Sequence, residues 1–201
     1  MKLYSTFLIV FLFSTSIFGQ TVYKYNYKQG YNFIKKAQKK LQNGNLSKAK
    51  KCIANAKNSN YGFCENAWIE SYGRINIIEV QILNIQKKYD SALVVLDSLN
   101  GCAFGADCSA RDSLKVITLF LKFGKEKVID SFKKVNTVNN SGDPEFEFDS
   151  NYWVFLDELN YKFWFKTDYP VYIDGKKVES IKTGNDFFDL AKDQAFYKLI
   201  K

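Results

Sequence analysis

The sequence predicts a mainly α protein: stacked antiparallel helical hairpins, followed by a small C-terminal module of β-hairpin and helix. Three observations predict it. From Tyr31 to Val135, apolar residues recur every three or four positions and are interrupted by short polar turns. Beyond Val135 the apolar period falls towards two, around an Asp-Gly turn. Proline occurs only twice and aromatic residues make up 17% of the chain, which suits a packed globule and not a disordered segment.

The chain opens Met1-Lys2-Leu3-Tyr4-Ser5, runs apolar from Phe7 to Phe13, and continues Ser14-Thr15-Ser16-Ile17-Phe18-Gly19-Gln20. A charged start, a short apolar stretch and a small residue before a polar one predict a signal peptide over residues 1–19. Cleavage after Gly19 leaves Gln20 first, with Ser16 as the alternative site. The apolar run falls short of the roughly 20 residues that span a bilayer, which weighs against a retained anchor. No Cys follows it, so a lipoprotein-type anchor is not expected. The Ile-Phe-Gly-Gln ending resembles export signals of the Bacteroidota type, which implies a periplasmic or extracellular protein. No later segment reads as transmembrane.

Each helix follows from its own stripe. Phe33, Ile34, Ala37 and Leu41 form the first, broken at Asn43-Gly44-Asn45; Leu46, Ala49, Ile53 and Ala56 form the second, ended by Asn58-Ser59-Asn60-Tyr61-Gly62. Trp68, Ile69, Tyr72, Ile75, Ile78, Ile82 and Ile85 predict a long third helix. Lys87-Lys88-Tyr89-Asp90 turns into a fourth with Ala92, Leu93, Leu96 and Leu99. A loop from Asn100 to Ser109 leads to a fifth with Leu114, Ile117, Phe120 and Leu121. Phe123-Gly124-Lys125 opens a sixth with Val128, Ile129, Phe132 and Val135. A helix with one apolar face needs a neighbour to cover it.

Leu46 with Ala49, Ile53 and Ala56, and Tyr89 with Ala92, Leu96 and Leu99, resemble the second helices of tetratricopeptide repeats; Gly124 to Val135 matches less well, with Val128 where Ala would sit. The resemblance covers about half the chain. It implies a protein-interaction scaffold with a concave groove, near which Asn76, Glu79, Leu83, Lys36 and Lys40 would lie. An irregular helical bundle is the plainer reading of the same stripes.

Residues 136–144 read as a loop or linker by composition, so the expected division is a signal peptide over 1–19, a helical repeat domain over 20–138 and a C-terminal module over 139–201. In that module Phe146 and Phe148, then Tyr161, Phe163 and Phe165, alternate like strands. Val171-Tyr172-Ile173, Asp174-Gly175 and Lys176-Lys177-Val178 predict a hairpin, because Asp-Gly suits the positive φ angles of a two-residue turn. That turn resembles the hairpin of PEGA-type surface modules, without the Gly and Pro that follow in that family. Residues 152–159 fit strand or helix equally, and residues 185–200 predict one closing amphipathic helix.

The four cysteines, Cys52, Cys64, Cys102 and Cys108, suit disulfides in an exported chain. Three pairings are open, and proximity favours Cys52–Cys64 and Cys102–Cys108. The chain contains no histidine, which removes Ser-His-Asp and Cys-His catalysis and most zinc hydrolase designs. No Gly-rich phosphate loop, nucleophile elbow or calcium-loop spacing occurs. Asp157-Glu158 and Glu145 with Glu147 are the remaining acid/base pairs, and they read as solvated surface carboxylates. No enzyme, no catalytic residue, no metal and no cofactor is expected.

Charge is the more informative feature. The net charge is +8, and ten lysines but no Asp or Glu stand between Lys24 and Lys57. Beyond the signal, basic residues outnumber acidic ones 20 to 9 up to Asn140, and acidic outnumber basic 12 to 8 from Ser141 on. These lysines read as wet helix faces, as a surface for an anionic partner, or as a counterpart to the acidic stretch Asp143-Pro144-Glu145-Phe146-Glu147-Phe148-Asp149. The binding reading assigns Lys35, Lys36, Lys39 and Lys40 to an anionic partner such as an acidic protein segment, a polysaccharide or a phosphate-bearing envelope surface, with Tyr23, Tyr25, Tyr27 and Tyr31 interleaved. Nucleic acid is not expected, since only Arg74 and Arg111 supply the side chain suited to base readout. The rival is an envelope glycan- or lipid-binding protein or hydrolase, using Trp153, Trp164, Phe163, Phe165 and Tyr172.

Overall fold

The computed structural model describes residues 22–99, 108–140, 151–166, 172–173, 176–177, 180–181 and 184–201. The expected signal peptide, Cys102, Phe146 and Phe148 therefore lie outside the described residues. Among the described residues six helices come first: α1 (Tyr27–Gln42), α2 (Leu46–Lys57), α3 (Glu65–Ile85), α4 (Tyr89–Ser98), α5 (Cys108–Phe123) and α6 (Lys125–Lys133). They pack as three antiparallel hairpins, α1 with α2, α3 with α4, and α5 with α6, each leaning on the next. The mainly helical fold class is as the sequence predicts. Among the described residues, no helix is long and apolar enough to cross a membrane.

The stripes account for the first two cores. Ile34, Ala37, Ala49, Ile53, Ala56, Ile75, Ile78 and Ile82 meet in one cluster. Val80, Ala92, Leu96 and Leu114 meet in a second, with Leu83 packed against it. Ala49 and Ala92 are both fully buried, so a bulkier side chain at either would force the paired helices apart. Gly124, at φ +90°, makes the tight reversal from α5 to α6 in a conformation that side chains with a Cβ seldom adopt.

A four-stranded antiparallel sheet follows, in the order β3 (Tyr161–Lys166), β2 (Asn151–Leu156), β1 (Val138–Asn140), β6 (Ser180–Ile181). Separately, β4 (Tyr172–Ile173) pairs antiparallel with β5 (Lys176–Lys177), the two strands the sequence predicts; the Asp174-Gly175 turn itself lies outside the described residues. The chain closes with α7 (Gly184–Ala191) and α8 (Tyr197–Ile200).

Three expectations are corrected. Residues 138–140 are no linker: they form β1, with Asn139 opposite Trp153 and Val138 opposite Ile181, and Val138 is fully buried. The closing helix is two helices, because the Gln194 N–H turns back to the Ala191 carbonyl at 2.8 Å and redirects Phe196 into the core. On α5, Ile117 and Leu121 are exposed, whereas Val116, Leu119, Arg111, Asp112, Lys115 and Thr118 are buried. The reason is position: α5 is flanked by α4 and α6 and also meets β3, so more than one face is covered. Residues 151–156 resolve as strand β2, followed by a 3-10 turn at Asp157–Leu159.

The largest core crosses residue 138. Leu93, Val116, Leu119, Val128 and Phe132 from the helices join Val138, Val154, Phe163, Phe165, Phe187 and Phe196 from the C-terminal part. Phe132 stands edge-on to Phe163 at 5.1 Å and stacks on Phe187 at 5.5 Å.

Candidate partner-binding surface

Asn26 and Gln29 set the start of α1 with a reciprocal capping box: the Gln29 N–H donates to Asn26 Oδ1 (3.1 Å) and the Asn26 N–H to Gln29 Oε1 (3.0 Å). Gly30, Ile34 and Ala37 then face inward, which rotates the lysines to solvent. Lys39 and Lys40 fall in the last turn, where cations complement the helix dipole. Asn45 caps α2 by accepting from the Lys48 N–H at 3.2 Å.

Of the ten lysines from Lys24 to Lys57, only Lys57 has a carboxylate within ion-pair distance among the described residues, Glu79 at 2.6 Å. Eight of the other nine are exposed and Lys40 is half-buried. Lys35, Lys36, Lys39 and Lys40 thus share the solvent side of α1. The other three residues expected beside a groove, apart from Lys36 and Lys40, fare differently. Asn76 is half-buried on α3, Glu79 is engaged by Lys57, and Leu83 is committed to the core against α4.

An aromatic corner closes one end of this hairpin. The backbone at Tyr25 pairs with Ser59, with Asn60 N–H donating to the Tyr25 carbonyl at 2.8 Å. Trp68 contacts Tyr23 (5.1 Å), Tyr61 (5.3 Å) and Tyr72 (5.8 Å), and its indole N–H donates to the Gly62 carbonyl at 2.7 Å. Tyr31 meets Tyr61 edge-on, and Tyr25 meets Phe33. Tyr61 is core, although the sequence reads it as loop; its hydroxyl donates to the Ala56 carbonyl, and burial pushes its pKa up to about 12. Of the four interleaved tyrosines only Tyr27 is exposed. Phe63 is fully exposed on the turn between α2 and α3.

Cys52 and Cys64 stand as free thiols, Cys52 half-buried on α2 and Cys64 exposed at the start of α3, so the favoured Cys52–Cys64 bridge is not formed in this structure. The side chain of Cys108 lies outside the described residues. Glu158 pairs with Lys134, which holds its carboxyl below the usual range, and Asp157 is exposed.

The aromatics of the C-terminal module divide by strand alternation. Phe163 and Phe165 are buried. Trp153 and Trp164 sit opposite each other on the outer face, their rings 6.0 Å apart, with the Lys162 ammonium 3.8 Å and 4.3 Å from them. The side chain of Tyr172 lies outside the described residues.

One cluster escapes a reading of the sequence. Lys115, 1% exposed, places its ammonium 2.9 Å from Asp97 Oδ1 and donates to the Trp164 carbonyl at 3.2 Å. The Tyr161 hydroxyl donates to the same carboxylate at 2.9 Å. Burial lowers the pKa of Lys115 and raises that of Tyr161. Arg111 pairs with Asp112 at 2.7 Å and caps the Leu99 carbonyl at 2.8 Å. The only signal was charged residues at positions 111, 112 and 115 of a helix, which ordinarily face water. Lys115, Arg111 and Asp112 are buried, the Asp97 side chain is partly exposed, and the cluster ties α4, α5 and β3 together. Compared with family models, with curated proteins and with solved structures, the chain matches none.

Proposed function

We propose that this chain is an exported, non-enzymatic scaffold that holds an anionic partner on the lysine surface of α1 and α2. One observation carries the reading: eight lysines of one helical hairpin, and Lys24 just before it, have no carboxylate partner among the described residues. Like charges gathered on one surface repel one another and cost stability, and a bound polyanion relieves that repulsion. The stacked hairpins and the tetratricopeptide resemblance agree with a scaffold. Binding then needs complementary charge and apolar contact, with no bond made or broken.

The test is capture from an envelope extract at low and high salt, comparing the chain with a Lys35→Glu, Lys36→Glu, Lys39→Glu, Lys40→Glu variant. A partner retained at low salt, released at high salt and absent from the variant supports the reading. A partner set unchanged by the four substitutions refutes it. The outer pair Trp153 and Trp164 favours a second reading, glycan or lipid binding on the sheet face, for which sugar-dependent quenching of tryptophan fluorescence is the sign.

A further inference from the structure

We infer that the anionic partner is a lipid surface, entered by Phe63 and held by the lysine strip of α1; this rests on the anion-binding reading above and names its partner. Isolated exposed apolar residues are ordinary, so Phe63 matters through its setting. It follows Gly62, whose φ is +93° and whose carbonyl is held by the Trp68 indole, so the turn is pinned and the ring projects from it. Val22 and Tyr27 are also exposed, and both belong to the segment that runs from beside this turn into α1. Trp68 contacts both Tyr23 and Tyr72 behind the turn. Amphipathic rings of this kind concentrate at the boundary between headgroups and acyl chains.

The charge begins at the same corner. Lys24 lies over the Tyr25 ring and Lys28 over the Tyr27 ring. Lys28, Lys35 and Lys39 are seven and four residues apart, so they share one strip of α1, about 16 Å long at helical rise. The cations are all lysine: the first arginine is Arg74, and it is paired with Glu70 at 2.7 Å. A carboxylate-bearing protein surface favours the bidentate fork of arginine, whereas lysine is a point charge suited to a diffuse sheet of headgroups. Glu65 is the nearby carboxylate without an ion pair among the described residues; Glu79 is neutralised by Lys57.

The experiment is co-sedimentation of the chain from Gln20 onward with vesicles of phosphatidylcholine alone, or of phosphatidylcholine and phosphatidylglycerol in equal parts. Immobilised polyglutamate is assayed in parallel, and circular dichroism confirms that each variant is folded. The chain is expected to bind the anionic vesicles and not the neutral ones. Lys28→Glu with Lys35→Glu and Lys39→Glu should weaken that binding at least about a hundredfold. Phe63→Ser should weaken it about tenfold while leaving polyglutamate binding unchanged. Anionic vesicle binding that ignores Phe63→Ser overturns the inference. Lysine-dependent capture of polyglutamate without vesicle binding also overturns it but leaves the anion-binding reading standing. Binding to neither removes both.

Discussion

Asp97 serves two donors, the buried Lys115 ammonium and the half-buried Tyr161 hydroxyl, and its own side chain is about one-third exposed. The two ends of the ion pair are therefore unequal. Asp97→Asn strands a fully buried ammonium and should cost about 3 kcal/mol, whereas Lys115→Met leaves a partly solvated carboxylate that keeps Tyr161 and should cost about 1 kcal/mol. Denaturant titration of both variants checks the order. The pH dependence has a definite sign. Burial holds the folded pKa of Lys115 below its unfolded value, so the penalty of a buried charge is complete below the folded pKa and fades as pH rises towards about 10.5. The deficit of Asp97→Asn should shrink over that window, and a deficit independent of pH would contradict the assignment. Tyrosine works the other way. Tyr61 keeps its proton up to about pH 12 when folded, so its stabilising share is lost as pH climbs from about 10 through 12. Comparing Tyr61→Phe with the parent chain isolates that share.

At the scale of the element, α1 owes its position to a missing side chain. A Cβ on Gly30 would come within 2.8 Å of Ser59 Cβ and of Tyr61 Cε1. Tyr61 cannot swing away without losing its bond to the Ala56 carbonyl and its contacts with Tyr31 and Trp68. Alanine is the better helix former by about 1 kcal/mol, yet overpacking costs about 1–3 kcal/mol. Gly30→Ala is thus expected to destabilise by about 1 kcal/mol and to loosen the aromatic corner, visible as a change in Trp68 fluorescence. A stabilised variant would show that the corner yields. Helix α5 makes the complementary point. Its apolar residues alone suggest a face through Ile117 and Leu121, but partners on more than one side bury Arg111, Asp112 and Lys115 instead.

The whole molecule is joined by the core that crosses residue 138. Val116, Leu119, Val128 and Phe132 are all fully buried, and they share a cluster with β2, β3, α7 and α8. Residues 20–138 alone would present that apolar face to water. The fragment is expected to bind a hydrophobic dye strongly and to melt without the cooperativity of the full chain. A monomeric fragment with a sharp transition and no dye binding would show the helices to be self-sufficient. Phe132→Ala in the full chain removes a ring lodged between Phe163 and Phe187 and should cost about 4 kcal/mol.

Local patterns were enough for the helices through α4, the α6 stripe, the 161–166 strand and the pairing of β4 with β5, because each depends on a pattern within a few residues. The lysine-rich, carboxylate-free run was equally legible, since charge needs no fold to be counted, and an inward stripe of Gly30, Ile34 and Ala37 puts Lys35, Lys36 and Lys39 in water. Tertiary structure decided the rest. Val138 became a strand because β2 and β6 flank it. Phe163 and Trp164 parted company because one face of the sheet is covered by helices. Lys115 was buried because Asp97, distant in sequence, meets it across two helices. Such outcomes turn on which surfaces meet, and a local period reports that a face is apolar without saying what covers it.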